Sequence, residues 1–307
     1  MNRRQLLKTA GAASLAALVP EIAFSAKTTV KSNFRFCLNT STIRGQQPGI
    51  LKYIEITASA GYDGIELWVQ DVAEYKNQGN SLVKLKKLID DSGLKVESAI
   101  GFASWLNSDE EKRNAGFAQM KEEMELMAEL GCQRIAASPA GLKPEIPLDL
   151  IKAGEHYKRM IELGRQTGVL PQLEFWGASG TLYHIGQAMM IAAAANDPDV
   201  HILADVYHMF RGQSGFDSLK MIQGNVLELF HMNDYVGSIP RGQQQDKDRV
   251  YPGDGIAPMK QILTDLSTMG GTKVLSLELF NPEYWKQDPI VVAKTGLEKM
   301  RGLVEGV

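Results

Sequence analysis

The fold class this sequence predicts is α/β, closed as a (β/α)8 TIM barrel, and three observations predict it. Eight strand-like apolar runs alternate strictly with eight helix-like segments from Phe34 onward, and such alternation implies a parallel sheet with helices on its faces. The 307 residues leave room for the roughly 250 that a barrel of this kind takes. The first strand-like run ends Asn39-Thr40-Ser41 rather than in a GxGxxG turn, which argues against an open doubly wound sheet. No repeat period or composition break marks a second domain, so residues 27–307 are expected to form one barrel.

In chain order, Phe34 to Asn39 reads as strand one, and a helix with Leu51, Ile54 and Ala58 on one face runs to Gly61. Gly64 to Trp68 is strand two. A helix carrying Leu82, Leu85, Leu88 and Ile89 stops at Gly93, and Lys95 to Ile100 is strand three. Phe117, Met120, Met124 and Met127 recur at helical spacing; a methionine stripe of this kind is core packing. Gln133 to Ala137 makes strand four, followed by a Pro/Gly-rich stretch over 139–147. Helix 149–166 leads to strand five, which ends on Glu174. Helix 182–195 leads to strand six, ending on Asp205, and helix 217–223 to strand seven, ending on His231. A long loop, 234–255, precedes helix 257–269. Strand eight ends on Glu278, and helix 288–304 closes the chain.

Those four endings carry the chemistry. Apolar strands normally exclude carboxylates and imidazoles, because an unpaired buried charge costs several kcal/mol or more. Here LPQLEFW carries Glu174, VHILADVYH carries Asp205, VLELFHMND carries His231 and KVLSLELF carries Glu278. Alternation along a strand groups Gln172, Glu174 and Trp176 on one side, Leu203 with Asp205, and Ser276 with Glu278. In a barrel, consecutive strands five to eight bring such ends together at the C-terminal mouth, where these folds keep their active sites. Glu174, Asp205, His231 and Glu278 are therefore expected to hold one divalent ion, with Mn, Co, Mg and Zn all suited to the set. An ion there would polarise a carbonyl and hydroxyl. Glu174 and Glu278 would form an acid/base pair moving a proton between neighbouring carbons, and Trp176 would face the substrate.

Composition excludes other classes. The net charge is −3 and no basic patch or RNA-binding signature is present, so nucleic acid is not an expected partner. The two cysteines, Cys37 and Cys132, show no CxxC spacing and are read as packed small residues. Residues 1–26 read as a twin-arginine signal peptide. Arg3 and Arg4 precede an Ala-rich apolar run, and Ala23-Phe24-Ser25 offers small residues for cleavage. The run is too short to serve as a stable membrane anchor, so a periplasmic protein is expected.

Four stretches carry a resemblance. LADVYHM from Leu203, FHMND from Phe230, DRVYPGDG from Asp248 and LELFNPEYW from Leu277 resemble the sugar isomerase/epimerase superfamily of xylose-isomerase-like barrels. The last two are most similar to the 2-keto-myo-inositol (inosose) isomerase branch, and the ligand spacings of 31, 26 and 47 residues match it. GYDGIEL from Gly61 is similar to the family's second-strand signature. The resemblance implies a metal-dependent barrel that uses Glu174, Asp205, His231 and Glu278 as ligands, with the two glutamates shuttling the substrate proton. It further implies substrate-binding positions at His208 and Arg249, with Glu66 and Trp68 on the pocket floor and wall. Trp68 fits an ordinary core position equally well, and Arg249 also reads as a solvated loop charge. Strand three, ending Ala99-Ile100-Gly101-Phe102, lacks the histidine many relatives place there.

The expected function is isomerisation or epimerisation of a non-phosphorylated keto-sugar or cyclic keto-polyol through proton abstraction alpha to a carbonyl. The alternative is a metal-dependent lyase or hydratase acting on 3-keto-glycosides. Apurinic endonuclease chemistry shares the superfamily but needs a histidine-rich three-metal cluster. This chain has five histidines, of which His156 and His184 fall in predicted helices and His201 starts a strand. A non-catalytic sugar-binding protein would normally close two lobes on its ligand, and one barrel is expected here.

Overall fold

The computed structural model describes residues 34–307; the expected signal peptide, 1–26, lies outside the described residues. Eight strands form a closed barrel in sequence order: β1 (Phe34–Asn39), β2 (Gly64–Trp68), β3 (Lys95–Ile100), β4 (Arg134–Ala137), β5 (Leu170–Glu174), β6 (Ile202–Asp205), β7 (Leu229–Met232) and β8 (Lys273–Leu277). Every neighbouring pair is parallel, and β8 returns to β1 in register from Phe34↔Lys273 to Leu38↔Leu277. The helices are α1 (Ile50–Ala60), α2 (Val69–Asn77), α3 (Leu82–Asp91), α4 (Glu110–Ala128), α5 (Leu150–Thr167), α6 (Ile185–Ala195), α7 (Val206–Arg211), α8 (Met259–Thr268), α9 (Pro282–Trp285) and α10 (Pro289–Val304).

Local chemistry sets the ends of these helices. Asp149 caps α5 by accepting from the amides of Ile151 and Lys152, which satisfies donors that the first turn leaves unpaired. Gly61 ends α1 in the left-handed region at φ 91°, where a side chain would be strained. The stripe of α4 is buried as expected at Phe117, Met120, Met124 and Met127.

Three helices were not expected from the sequence. α2 leaves β2 without a loop, α7 begins directly after Asp205, and α9 is a single turn after β8; none is long enough to show a strong apolar period. The expected helix at 217–223 is instead a short 3-10 turn, Asp217–Met221. Strand β8 stops at Leu277, so Glu278 sits one residue beyond it.

Two apolar layers result. The larger lies between sheet and helices, whereas Cys37, Ile100, Ala136, Leu203, Leu229 and Val274 make a separate cluster inside the barrel. By strand alternation the inner cluster lies below the inward-facing polar residues near the C-terminal ends. Both cysteines are buried and free. Among the described residues no helix is long and apolar enough to cross a membrane.

Candidate functional site

Register brings the polar strand ends together. Asp205 on β6 lies directly across from His231 on β7, and His231 lies across from Ser276 on β8, two residues short of Glu278. One ligand atom from each of Asp205, His231 and Glu278 falls within 4.8 Å of the others, and all three residues are buried. Nδ1 of His231 stands 3.8 Å from Asp205 Oδ2 and 3.3 Å from Glu278 Oε2, yet it makes no hydrogen bond. Glu174 lies outside this group of three. It lines the adjoining cavity and is also buried, so the four expected ligands divide into three clustered residues and one beside them.

Glu66 is placed differently from the pocket floor expected of it. It is fully buried behind His231, where its Oε2 accepts from Asn39 Nδ2 at 2.9 Å and Ser276 Oγ at 2.7 Å and lies 3.0 Å from His231 Nε2. With Nε2 turned to Glu66, Nδ1 is the nitrogen that faces Asp205 and Glu278, and it offers its lone pair there once its own proton is lost. A carboxylate holding the far nitrogen of a ligand histidine is a common arrangement at metal sites. Two oxygen donors and one imidazole nitrogen, with one orphaned buried nitrogen turned into the group, therefore fit a divalent ion such as zinc or manganese.

Sequence reading missed the residues that hold this set. Asn39 joins Glu66 to Glu278, its Nδ2 donating to Glu278 Oε1 at 3.2 Å, while its Oδ1 accepts from the Trp68 indole at 3.1 Å. Asn233 donates to Asp205 Oδ2 at 2.8 Å. Asp205 also caps α7, accepting from the His208 amide at 2.7 Å, and this bond turns the short helix across the mouth. Gly177 permits the close fit: a Cβ there would meet His208 O at 2.4 Å. The polar residues at the end of β1, Asn39, and just past β7, Asn233, were the available signal.

Arg249 reaches the cluster from the loop after β7. Its Nη1 donates to Asp205 Oδ2 at 3.1 Å and Glu278 Oε2 at 2.7 Å, and its Nη2 to Asp246 Oδ1 at 2.5 Å. Nη2 also lies 3.3 Å from His208 Nε2. Arg249 is buried, which a solvated loop charge would not be. The guanidinium balances two carboxylates that could not otherwise sit so close in a dry site.

Proton affinities in the site diverge. Burial pushes Glu174 up to about 8, with the charges of Glu278 and Asp205 adding to it and His231 opposing. Glu278 is buried too, but His231 and Arg249 outweigh desolvation and hold it well below the usual carboxylate range. For His231, burial acts downward and is overcome by Glu278 and Glu66, so the imidazole is raised. Burial lowers His208, with Arg249 adding to that and Asp205 opposing.

The cavity above the cluster has a volume of about 470 Å³, and Glu174, His208, Arg249 and Glu278 line its polar side. Trp68, Trp176 and Phe280 are also on its wall. Of the expected site residues, Glu174, Glu278, His208, Arg249, Trp68 and Trp176 thus share one cavity, whereas Asp205 and His231 lie beneath it.

The comparisons agree with the barrel fold. An inosose isomerase of Bacillus velezensis is 27% identical over 273 residues, covering 88% of this chain and 97% of that protein. One from Bacillus subtilis is 28% identical over 255 residues, covering 82% of this chain and 91% of the relative. The crystal structure of an IolI protein with a bound zinc atom superimposes with a TM-score of 0.80 at 25% identity, covering 88% of this chain and 98% of that one. The model of the family described as "Xylose isomerase-like TIM barrel" matches residues 54–303. With most of its length matched, the chain belongs to the xylose isomerase-like TIM barrel family.

Proposed function

We propose that the chain is a divalent-metal-dependent isomerase or epimerase of a non-phosphorylated keto-sugar or inosose. Relatives spanning nearly all of it are inosose isomerases, which supports an enzyme of the sugar isomerase/epimerase type. The observation that carries the reading is the buried Asp205–His231–Glu278 group, with an unbonded Nδ1 turned into it and Glu174 alongside.

Asp205, His231 and Glu278 would hold the ion, with Glu174 completing the set if its side chain turns inward. Bound there, a divalent ion supplies Lewis acidity toward a substrate carbonyl and hydroxyl. Two carboxylates of opposite proton affinity supply the rest. Glu278 starts ionised and takes the proton from the carbon beside the carbonyl; Glu174 starts protonated and returns one at the neighbouring carbon. Arg249, already paired with Asp205, Glu278 and Asp246, would favour negative charge growing on the enediolate oxygen through its field rather than through a direct bond. His208 and Trp176 orient the ring. A phosphorylated substrate fits poorly, because Arg249, the one Arg or Lys on this cavity wall among the described residues, is already engaged by Asp205, Glu278 and Asp246. The twin-arginine leader supports action on free sugars in the periplasm.

The test is deuterium exchange into inososes and ketohexoses in deuterium oxide, read by mass spectrometry on protein stripped of metal and then reloaded with Mg, Mn, Co or Zn. Solvent deuterium should enter next to the carbonyl without loss of a substituent. Glu174→Gln and Glu278→Gln should each slow exchange by about 10²-fold or more, and Asp205→Asn should weaken metal binding in calorimetry. Release of a β-substituent would move the reading to the lyase alternative. No exchange with any metal would end it.

A further inference from the structure

The cavity has a second face, of which the proton-transfer reading uses only Trp176. Phe280, Trp68, Phe102 and Trp176 form a continuous arc of rings: Trp68 packs edge-to-face on Phe280 at 6.3 Å and on Phe102 at 5.2 Å, and Phe102 lies 6.3 Å from Trp176. They end or follow four different strands, β8, β2, β3 and β5, so the arc is a product of barrel closure. Pro139, Leu142 and Pro144, from the stretch after β4, face the same space. Carboxylates, imidazole and guanidinium thus occupy the floor, while carbon-rich surface makes the outer wall.

This wall is held in place yet left open to solvent. The Trp68 indole is tied to Asn39, and the Arg44 guanidinium sits 4.0 Å from its ring centroid. Arg44 is itself fixed by both oxygens of Asp71 at 2.6 Å. Phe102 remains 41% exposed. A single exposed apolar side chain is ordinary on a protein surface; this one continues the aromatic wall of a cavity and is placed to contact what the cavity holds. The space, about 470 Å³, falls in the range of about 300–1,000 Å³ typical of pockets that enclose a ligand larger than one small ring.

Resting on the isomerase/epimerase reading of the floor, we propose that this arc is a second subsite, and that the substrate carries a second ring attached to its reacting sugar. The ring would be an aryl group or another sugar. Both present a flat face of C–H or π character that stacks on indole and phenyl rings, while the hydroxyls and carbonyl of the first ring reach Glu174, His208 and Glu278. The second ring would supply binding energy away from the reacting carbons and hold the first ring in register for proton transfer.

The test titrates the full chain, loaded with Mg, against methyl β-D-glucopyranoside, phenyl β-D-glucopyranoside and cellobiose. The two glucosides carry no free carbonyl and do not react; cellobiose can open to an aldehyde at one end, so the recovered sugar is checked by chromatography for conversion. Calorimetry and tryptophan fluorescence provide the readouts. One or both two-ring probes should bind about tenfold or more tightly than the methyl glucoside and change indole emission. Phe102→Ala should shrink that preference to less than about threefold, and Phe102→Trp should restore it. Preference for phenyl alone identifies an aryl substituent, and for cellobiose a second sugar. Equal affinity for all three probes, no binding of either two-ring probe, or a preference untouched by Phe102→Ala would overturn the subsite. Deuterium exchange into an inosose without ring preference would remove this inference and leave the isomerase standing; ring preference without exchange would do the reverse.

Discussion

Glu174 and Glu278 are the same residue type at matching ends of two strands, and their surroundings give them opposite habits. Glu278 lies against Arg249 Nη1 at 2.7 Å and the His231 imidazole at 3.3 Å, so its ionised form is favoured. Glu174 has burial and like charge to contend with and is pushed up to about 8. A carboxyl whose proton affinity is raised on folding contributes stability that is present at low pH and fades as pH rises toward its folded value. Metal-free wild type should therefore lose stability relative to Glu174→Gln between about pH 5 and pH 8. Urea unfolding of both proteins at the two pH values reads the gap, and parallel pH profiles would contradict the assignment. Glu66 teaches a related point: it looks like a pocket residue in sequence, but its three partners place it behind the imidazole, orienting it.

Among the elements, the loop after β7 matters most, because it carries Arg249 to the mouth. One buried side chain pins it. Asp234 Oδ1 accepts from the amides of Tyr235 and Ala257 at 2.8 and 2.9 Å, and Oδ2 from those of Gly253 and Gly255 at 3.0 Å. Its backbone pairs with Val250 in both directions, at 2.9 and 3.0 Å. This ladder ends one residue from Arg249, which then needs only its own side chain to reach Asp205 and Glu278. Asp234→Ala leaves several amides without a partner and should cost about 2–4 kcal/mol of stability. Turnover should fall further than stability explains, since Arg249 loses its anchor. Unfolding and kinetics on the same preparation check both, and a stability change under about 0.5 kcal/mol would show that the loop is held elsewhere.

At the scale of the whole molecule, the expected leader and the barrel raise one joint question, that of compartment. Twin-arginine export carries folded proteins, so an ion held by Asp205, His231 and Glu278 could be loaded before the chain leaves the cytoplasm. Replacing Arg3 and Arg4 by lysine should shift the protein from the periplasmic to the cytoplasmic fraction while leaving deuterium exchange by the purified protein intact. An unchanged distribution in cell fractionation would remove the export reading.

What could be read without coordinates was whatever repeats along the chain. Alternating apolar runs announced eight strands, and four polar residues closing apolar runs at Glu174, Asp205, His231 and Glu278 marked one end of the barrel, because burial makes such exceptions costly wherever they occur. α2, α7 and α9 escaped notice, since four to nine residues hold too few turns to show a period. Tertiary structure alone decided that Glu174 stands beside the other three, that Glu66 supports His231 from behind, and that Phe102 joins three other rings from distant strands. Those facts depend on register and side-chain direction across a closed sheet, and distances between residues as far apart in sequence as Asn39 and Glu278, 239 positions, are set by how the barrel closes and by no local pattern.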